Sequence, residues 1–221
     1  MLSDGLVVAS SGNISVRTGP DRFVVTAGGI PYPNLRPADH PVVSLDDGSF
    51  VGPKRPTSEL ALHLAIYRDR PDVGAIVHTH SRYAAAFAVA RVDLPFVCNE
   101  NIAVHAERIL VTDYEAPGTD NLGEAAVRTF GRQPGSRAVL LANHGVVAIA
   151  DNLDTAYNVA AQVEWVANVL HLAANIPTGF GPAVVLSDDV QDLIGRNYGV
   201  TINRETLATP RSSRARTTRS R

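Results

Sequence analysis

Two short apolar runs in this chain each end at histidine. Val73-Gly74-Ala75-Ile76-Val77 leads into His78-Thr79-His80, and Arg137-Ala138-Val139-Leu140-Leu141-Ala142 leads into Asn143-His144-Gly145. Runs of this length and composition, bounded by turn residues, read as buried strands. Segments with helical spacing lie between and around them, and no internal repeat is visible. Alternating strands and helices predict an α/β domain, and 221 residues need only one core.

The helical segments are read from spacing and caps. Glu59 to about Asp69 is one, capped by Thr57 or Ser58 and followed by Pro71. Ser81 to Arg91 is alanine-rich, and Asn121 opens a helix to about Gly131. From Leu153 to about Ala174, the residues Ala156, Val159, Val163, Val166, Leu170 and Ala173 recur at spacings of three and four. Ser187 caps a last helix through Ile194, leaving Tyr198 to Ile202 extended. Phe23–Thr26, Pro95–Cys98, Ile109–Thr112 and Val146–Ala150 read as further strands, while Ser11–Ser15 and Ala27-Gly28-Gly29 read as turns of small residues.

Composition removes several function classes. No run approaches the about 18 apolar residues of a membrane span, and the N-terminus lacks the regions of a signal peptide, so a soluble, cytoplasmic protein is expected. The lone Cys98 leaves no internal disulfide framework and no multi-cysteine metal site. There is one lysine, Lys54, in a Gly- and Pro-punctuated stretch that reads as an exposed loop, which argues against imine chemistry. The last eleven residues hold five arginines and no acid. Residues 210–221 are therefore expected to be a disordered tail on a domain of residues 1–209, and no nucleic-acid motif accompanies them.

What remains for chemistry is histidine and carboxylate. Residues i and i+2 of an extended chain share a face, so His78 and His80 converge, and His144 is the natural third ligand of a zinc site. Glu59 stands at a helix start, where the macrodipole favours a carboxylate, near enough in type to act as ligand or general base. Thr57 and Ser58 add hydroxyls at a helix N-terminus, an anion site. Asn13, within Ser11-Gly12-Asn13-Ile14-Ser15, and the pair Gly28 and Gly29 lie in small-residue stretches whose amides could cradle the same anion. Of the other histidines, His40 reads as exposed and His171 as packed in the long helix. His105 reads as structural, and His63, four residues after Glu59, as a structural hydrogen-bonding residue near the site.

Together, Ser11–Ser15, Thr26-Ala27-Gly28-Gly29-Ile30-Pro31-Tyr32, Pro56-Thr57-Ser58-Glu59, His78-Thr79-His80 and Asn143-His144-Gly145 resemble the class II aldolase/adducin family, from Gly5 to Ile202. The resemblance implies a three-layer α/β/α fold around a largely antiparallel sheet, and a homotetramer with sites at subunit interfaces. It implies zinc on His78, His80 and His144, with Glu59 as fourth ligand and later acid/base. It implies a phosphorylated sugar substrate, with phosphate on Asn13, Gly29, Thr57 and Ser58, and aldol cleavage to dihydroxyacetone phosphate and a short aldehyde through an enediolate. It also assigns Tyr198 to a mobile C-terminal segment with a catalytic or gating role. Three departures stand out: Gly28 replaces a hydroxyl residue, Asn99 occupies the place of a tyrosine, and only Met1 to Ser10 precede the Gly-Asn turn where relatives carry a helix. Within the family the alternatives are a 3-oxo-tetronate 4-phosphate decarboxylase or another sugar-phosphate lyase or epimerase, and, more remotely, a metal-free adducin-like structural domain.

Overall fold

The computed structural model describes residues 1–177 and 183–206; the arginine-rich tail expected to be disordered lies outside them. Nine strands and five α-helices follow one another as β1 (Asn13–Gly19), β2 (Arg22–Val25), β3 (Val42–Ser44), β4 (Phe50–Val51), α1 (Leu60–Asp69), β5 (Ala75–Thr79), α2 (Arg82–Ala90), β6 (Leu94–Pro95), β7 (Arg108–Ile109), α3 (Asp120–Arg132), β8 (Ala138–Leu141), β9 (Gly145–Ala150), α4 (Leu153–Ala174) and α5 (Asp188–Tyr198) among the described residues. Seven strands form one sheet in the order β4-β3-β2-β1-β5-β9-β8, and every neighbouring pair in it is antiparallel.

The sheet is the middle of three layers. Side chains alternate across a strand. Ala75 and Val77 of β5, Ala138 and Leu140 of β8, and Val146 and Ala148 of β9 pack on one face with α2 and α4. Ile76, Val139, Leu141, Val147 and Ile149 pack on the other with Leu62 and Ile66 of α1 and Leu122, Ala126 and Phe130 of α3. With both faces covered, β5 and β9 are buried along their whole length, which is why their sequences read as unbroken apolar runs. No helix among the described residues is long and apolar enough to cross a membrane.

Several expectations need correction. Asn13–Gly19 is a seven-residue strand rather than the continuation of a turn, paired on both edges, with β2 and with β5. Its polar residues Asn13, Ser15 and Arg17 alternate with Ile14 and Val16, so it shows no apolar run. Tyr198 is not extended: α5 continues through it and closes only at Gly199, whose left-handed backbone (φ +68°) ends the helix. His171 is exposed and stacks against Tyr83 at 5.5 Å, because it lies near the open end of α4 beyond the packed stripe. His40 is half-buried rather than exposed, and its Nδ1 accepts the Ala27 N–H at 3.3 Å. Lys54 is exposed as expected.

Candidate active site

Antiparallel pairing brings the start of β1, the end of β5 and the start of β9 together at one end of three neighbouring central strands. Asn13 pairs with His78, and His78 in turn with Val147. Three residues from His78, Ser81 begins the turn into α2, while the β8–β9 turn carries His144 back over the end of β5. That turn is tight: Asn143 has φ +56°, and a Cβ at Gly145 would lie 2.1 Å from the Thr79 carbonyl oxygen. Only glycine lets β9 start so close to β5.

Glu59 stands at the N-cap position of α1 and points into the same corner. Thr57 does not cap the helix in the usual way. Its Oγ1 accepts the Glu59 N–H at 3.3 Å, and Ser58 is exposed. Glu59 Oε2 lies 3.0 Å from His78 Nε2, and Oε1 lies 3.2 Å from His144 Nε2. His80 Nε2 is 3.0 Å from His78 Nε2. The three imidazoles meet edge to face, their centroids 4.7–4.8 Å apart. One donor atom from each of Glu59, His78, His80 and His144 lies within 4.8 Å of all the others.

The protonation of this cluster follows from its burial. Desolvation holds His80 and His144 down at about 4, with the neighbouring His78 lowering them further, so both rings are neutral near pH 7. Burial alone would raise the Glu59 carboxyl, but His78 and then His144 outweigh it and hold the group well below the usual carboxylate range. His78 Nδ1 sits 2.8 Å from the Val146 carbonyl, which only accepts, so Nδ1 carries a proton and Nε2 is the nitrogen turned to the cluster. Glu59 Oε1 is buried with no hydrogen bond, since the approach of His144 Nε2 lacks hydrogen-bond geometry. An orphaned carboxylate oxygen among converging imidazole nitrogens fits a divalent transition metal, and a His and carboxylate set suits zinc.

Above this corner opens a cleft of about 340 Å³. Asn13, Gly28, Gly29, Thr57 and Ser58 line it together with Glu59, His80 and His144, so every residue expected to hold phosphate is brought to one place. Asn13 Nδ2 donates to Glu59 Oε2 at 2.9 Å and to Thr57 Oγ1 at 3.1 Å. Because Thr57 Oγ1 accepts from two groups, its own proton is left for the cleft. The missing hydroxyl at Gly28 has a backbone reason: a Cβ there would meet the Pro56 carbonyl oxygen at 2.7 Å.

Tyr198 does not line this cleft within one chain; it is 63% exposed at the end of α5. Asn99 is exposed and also lies outside the cleft lining, and His105 has a left-handed backbone whose carbonyl accepts from Asn203. Sequence reasoning missed the rim residues Pro117 and Gly118 and the Tyr32 hydroxyl, which bonds the Ser11 and Gly12 carbonyls at 3.1 and 2.8 Å. Pro-Gly before the Thr119 cap of α3 was the available signal for the rim. A larger hollow of about 510 Å³ lies on the other side of β1, walled by Ile14, Val16, Val24 and Leu153, and holds none of the four clustered residues.

A profile of the Class II Aldolase and Adducin N-terminal domain matches residues 1–171. The chain is 36% identical over 200 residues to a 5-deoxy-D-ribulose 1-phosphate aldolase of Bacillus thuringiensis serovar kurstaki, covering 90% of this chain and 91% of that one. It is 33% identical over 186 residues to the L-fuculose phosphate aldolase of Escherichia coli, covering 84% and 82%. A solved L-fuculose 1-phosphate aldolase superposes with a TM-score of 0.81 at 34% identity, covering 90% of each chain.

Proposed function

Because the chain belongs to the class II aldolase and adducin family, we propose that Glu59, His78, His80 and His144 hold zinc and that the cleft above them cleaves a ketose 1-phosphate. The chain is an aldehyde-lyase acting on phosphorylated ketoses. One observation carries the assignment of the site: a buried carboxylate and three histidines converge on the floor of a cleft whose rim consists of amide and hydroxyl donors.

Bound there, the metal supplies Lewis-acid stabilisation of the negative charge that develops on oxygen as the carbon–carbon bond breaks. The chain's own groups do the rest. Asn13 Nδ2, the Thr57 and Ser58 hydroxyls and the Gly29 N–H hold the phosphate and set the register of the sugar. Glu59, whose carboxylate is ionised, takes and returns the proton on the hydroxymethyl carbon of dihydroxyacetone phosphate. The reading extends to a cytoplasmic homotetramer in which the exposed Tyr198 reaches a neighbouring subunit's cleft. Decarboxylation and a metal-free structural role are not favoured, since the relatives are aldolases.

The test is a cleavage assay on two sugars drawn from those relatives, 5-deoxyribulose 1-phosphate and L-fuculose 1-phosphate, with release of dihydroxyacetone phosphate as the readout. Cleavage of at least one, lost on chelation and restored by zinc, is expected. Failure to cleave either by zinc-loaded, folded protein overturns the substrate class.

A further inference from the structure

Behind Glu59 runs a line of buried hydrogen bonds in which a strand and a helix alternate. Asn13, Ser15 and Arg17 share one face of β1, two residues apart, and Glu59, His63 and Tyr67 share one face of the α1 segment, four apart. The two faces interleave. Asn13 Nδ2 donates to Glu59 Oε2 at 2.9 Å, Asn13 Oδ1 meets His63 Nε2 at 2.5 Å, His63 Nδ1 meets Ser15 Oγ at 2.6 Å, and Ser15 Oγ lies 3.0 Å from the Tyr67 hydroxyl. The Arg17 guanidinium covers the Tyr67 ring at 4.7 Å. Asn13, Ser15 and His63 are each at most 2% exposed, so water does not substitute for these partners.

The carboxylate fixes the direction of the first two bonds in the line. Glu59 only accepts, so Asn13 must turn its NH2 towards it and its carbonyl towards His63. That carbonyl also only accepts, so His63 Nε2 carries a proton. Burial holds His63 down at about 3, so the ring is neutral and this is its one N–H. The Asn13 and His63 donors both point towards the cleft.

We propose that His63 is a positioning residue that locks the Asn13 amide with its NH2 facing the cleft, and so holds Glu59 in place for the metal and keeps the N–H now on Thr57 Oγ1 for an incoming phosphate. Without the Nε2 donor the amide is free to rotate, and its carbonyl would then face two anions, Glu59 and the phosphate. The kinetic part of this role rests on the aldolase reading; the metal-binding part does not.

The pair His63→Gln and His63→Asn separates positioning from packing. A glutamine amide reaches the place of Nε2 and still donates to Asn13 Oδ1, whereas the shorter asparagine reaches only the place of Nδ1. Zinc affinity, measured by competition with a chromophoric chelator, should fall about 10–100-fold in His63→Asn, the loss typical of removing a partner behind a ligand, and stay near the wild-type value in His63→Gln. Deuterium exchange into dihydroxyacetone phosphate should follow the same order. Equal zinc affinities in the two variants, both folded by circular dichroism, would overturn the proposal. Should His63→Asn not fold, nitrogen NMR of the zinc-loaded wild type decides, with the His63 signals assigned by their loss in His63→Gln: protonation at Nε2 supports the lock and protonation at Nδ1 refutes it. A wild type that neither exchanges nor cleaves defeats the aldolase reading, while zinc affinity and tautomer still decide the role of His63.

Discussion

Asn13 and His78 face each other across the antiparallel β1–β5 pair and reach the same oxygen, Glu59 Oε2, from Nδ2 at 2.9 Å and Nε2 at 3.0 Å. Directly opposed residues project on the same side of a sheet. The register of two strands therefore decides which amide supports the carboxylate beside the proposed metal.

His78→Ala, His80→Ala and His144→Ala should each lose stoichiometric zinc together with cleavage activity, since a catalytic site usually rests on three protein ligands and an open position. Elemental analysis of the purified variants checks this. Stoichiometric metal in all three would place the metal elsewhere.

Gly145→Ala should destabilise the fold by about 1–3 kcal/mol or more, because its Cβ meets the Thr79 carbonyl oxygen at 2.1 Å. Moving β9 away from β5 also moves His144, so zinc affinity should fall with stability. Urea denaturation and a metal titration read the two effects; a variant as stable as wild type contradicts the close approach.

Metal-free protein should lose stability on mild acidification. Burial holds His63 at about 3 and His80 and His144 at about 4 in the folded chain, against 6.5 for ordinary histidine. Between about 6.5 and about 4 the unfolded chain therefore binds more protons, and folding stability falls as pH falls through that window. Glu59 acts below it. Burial opposes ionisation there, but His78 and His144 keep the carboxyl below its ordinary 4.5, so its contribution disappears as pH drops under that value. The melting temperature of chelator-treated protein should decline steadily from pH 7 to pH 5. A flat profile would mean these rings titrate normally.

Much of this site is legible in the sequence where the signal is local. His78-Thr79-His80 needs only the two-residue period of a strand, and Asn143-His144-Gly145 only a turn at the end of an apolar run. Glu59 is marked by its place at a helix start. The function of Asn13 is not local, since it depends on β1 pairing with β5, and Asn13-Ile14-Ser15-Val16-Arg17 hides its strand by alternating polar and apolar residues. His63 reads as a near neighbour of Glu59, but its partners Asn13 and Ser15 lie 50 and 48 residues away. Tyr198 reads as extended in the sequence because the residues that follow Ile194 carry little apolar periodicity, whereas Gly199 sets the true end of the helix.

Tyr198→Phe should lower turnover while leaving zinc content and melting temperature unchanged. The phenol is exposed and absent from the cleft lining of its own chain, and in the proposed homotetramer it acts in a neighbour's site. Steady-state kinetics with the cleaved ketose phosphate checks this, and wild-type turnover removes Tyr198 from the account.

The central claim is that Glu59 moves the proton on the carbon that becomes nucleophilic, in a site completed by zinc. Zinc-loaded protein incubated with dihydroxyacetone phosphate alone in deuterated water should place one deuterium on its hydroxymethyl carbon. Glu59→Gln should slow that exchange by about 10²–10⁴-fold, as expected for a positioned acid/base. Exchange at the wild-type rate in a folded, zinc-bearing Glu59→Gln protein would contradict the account.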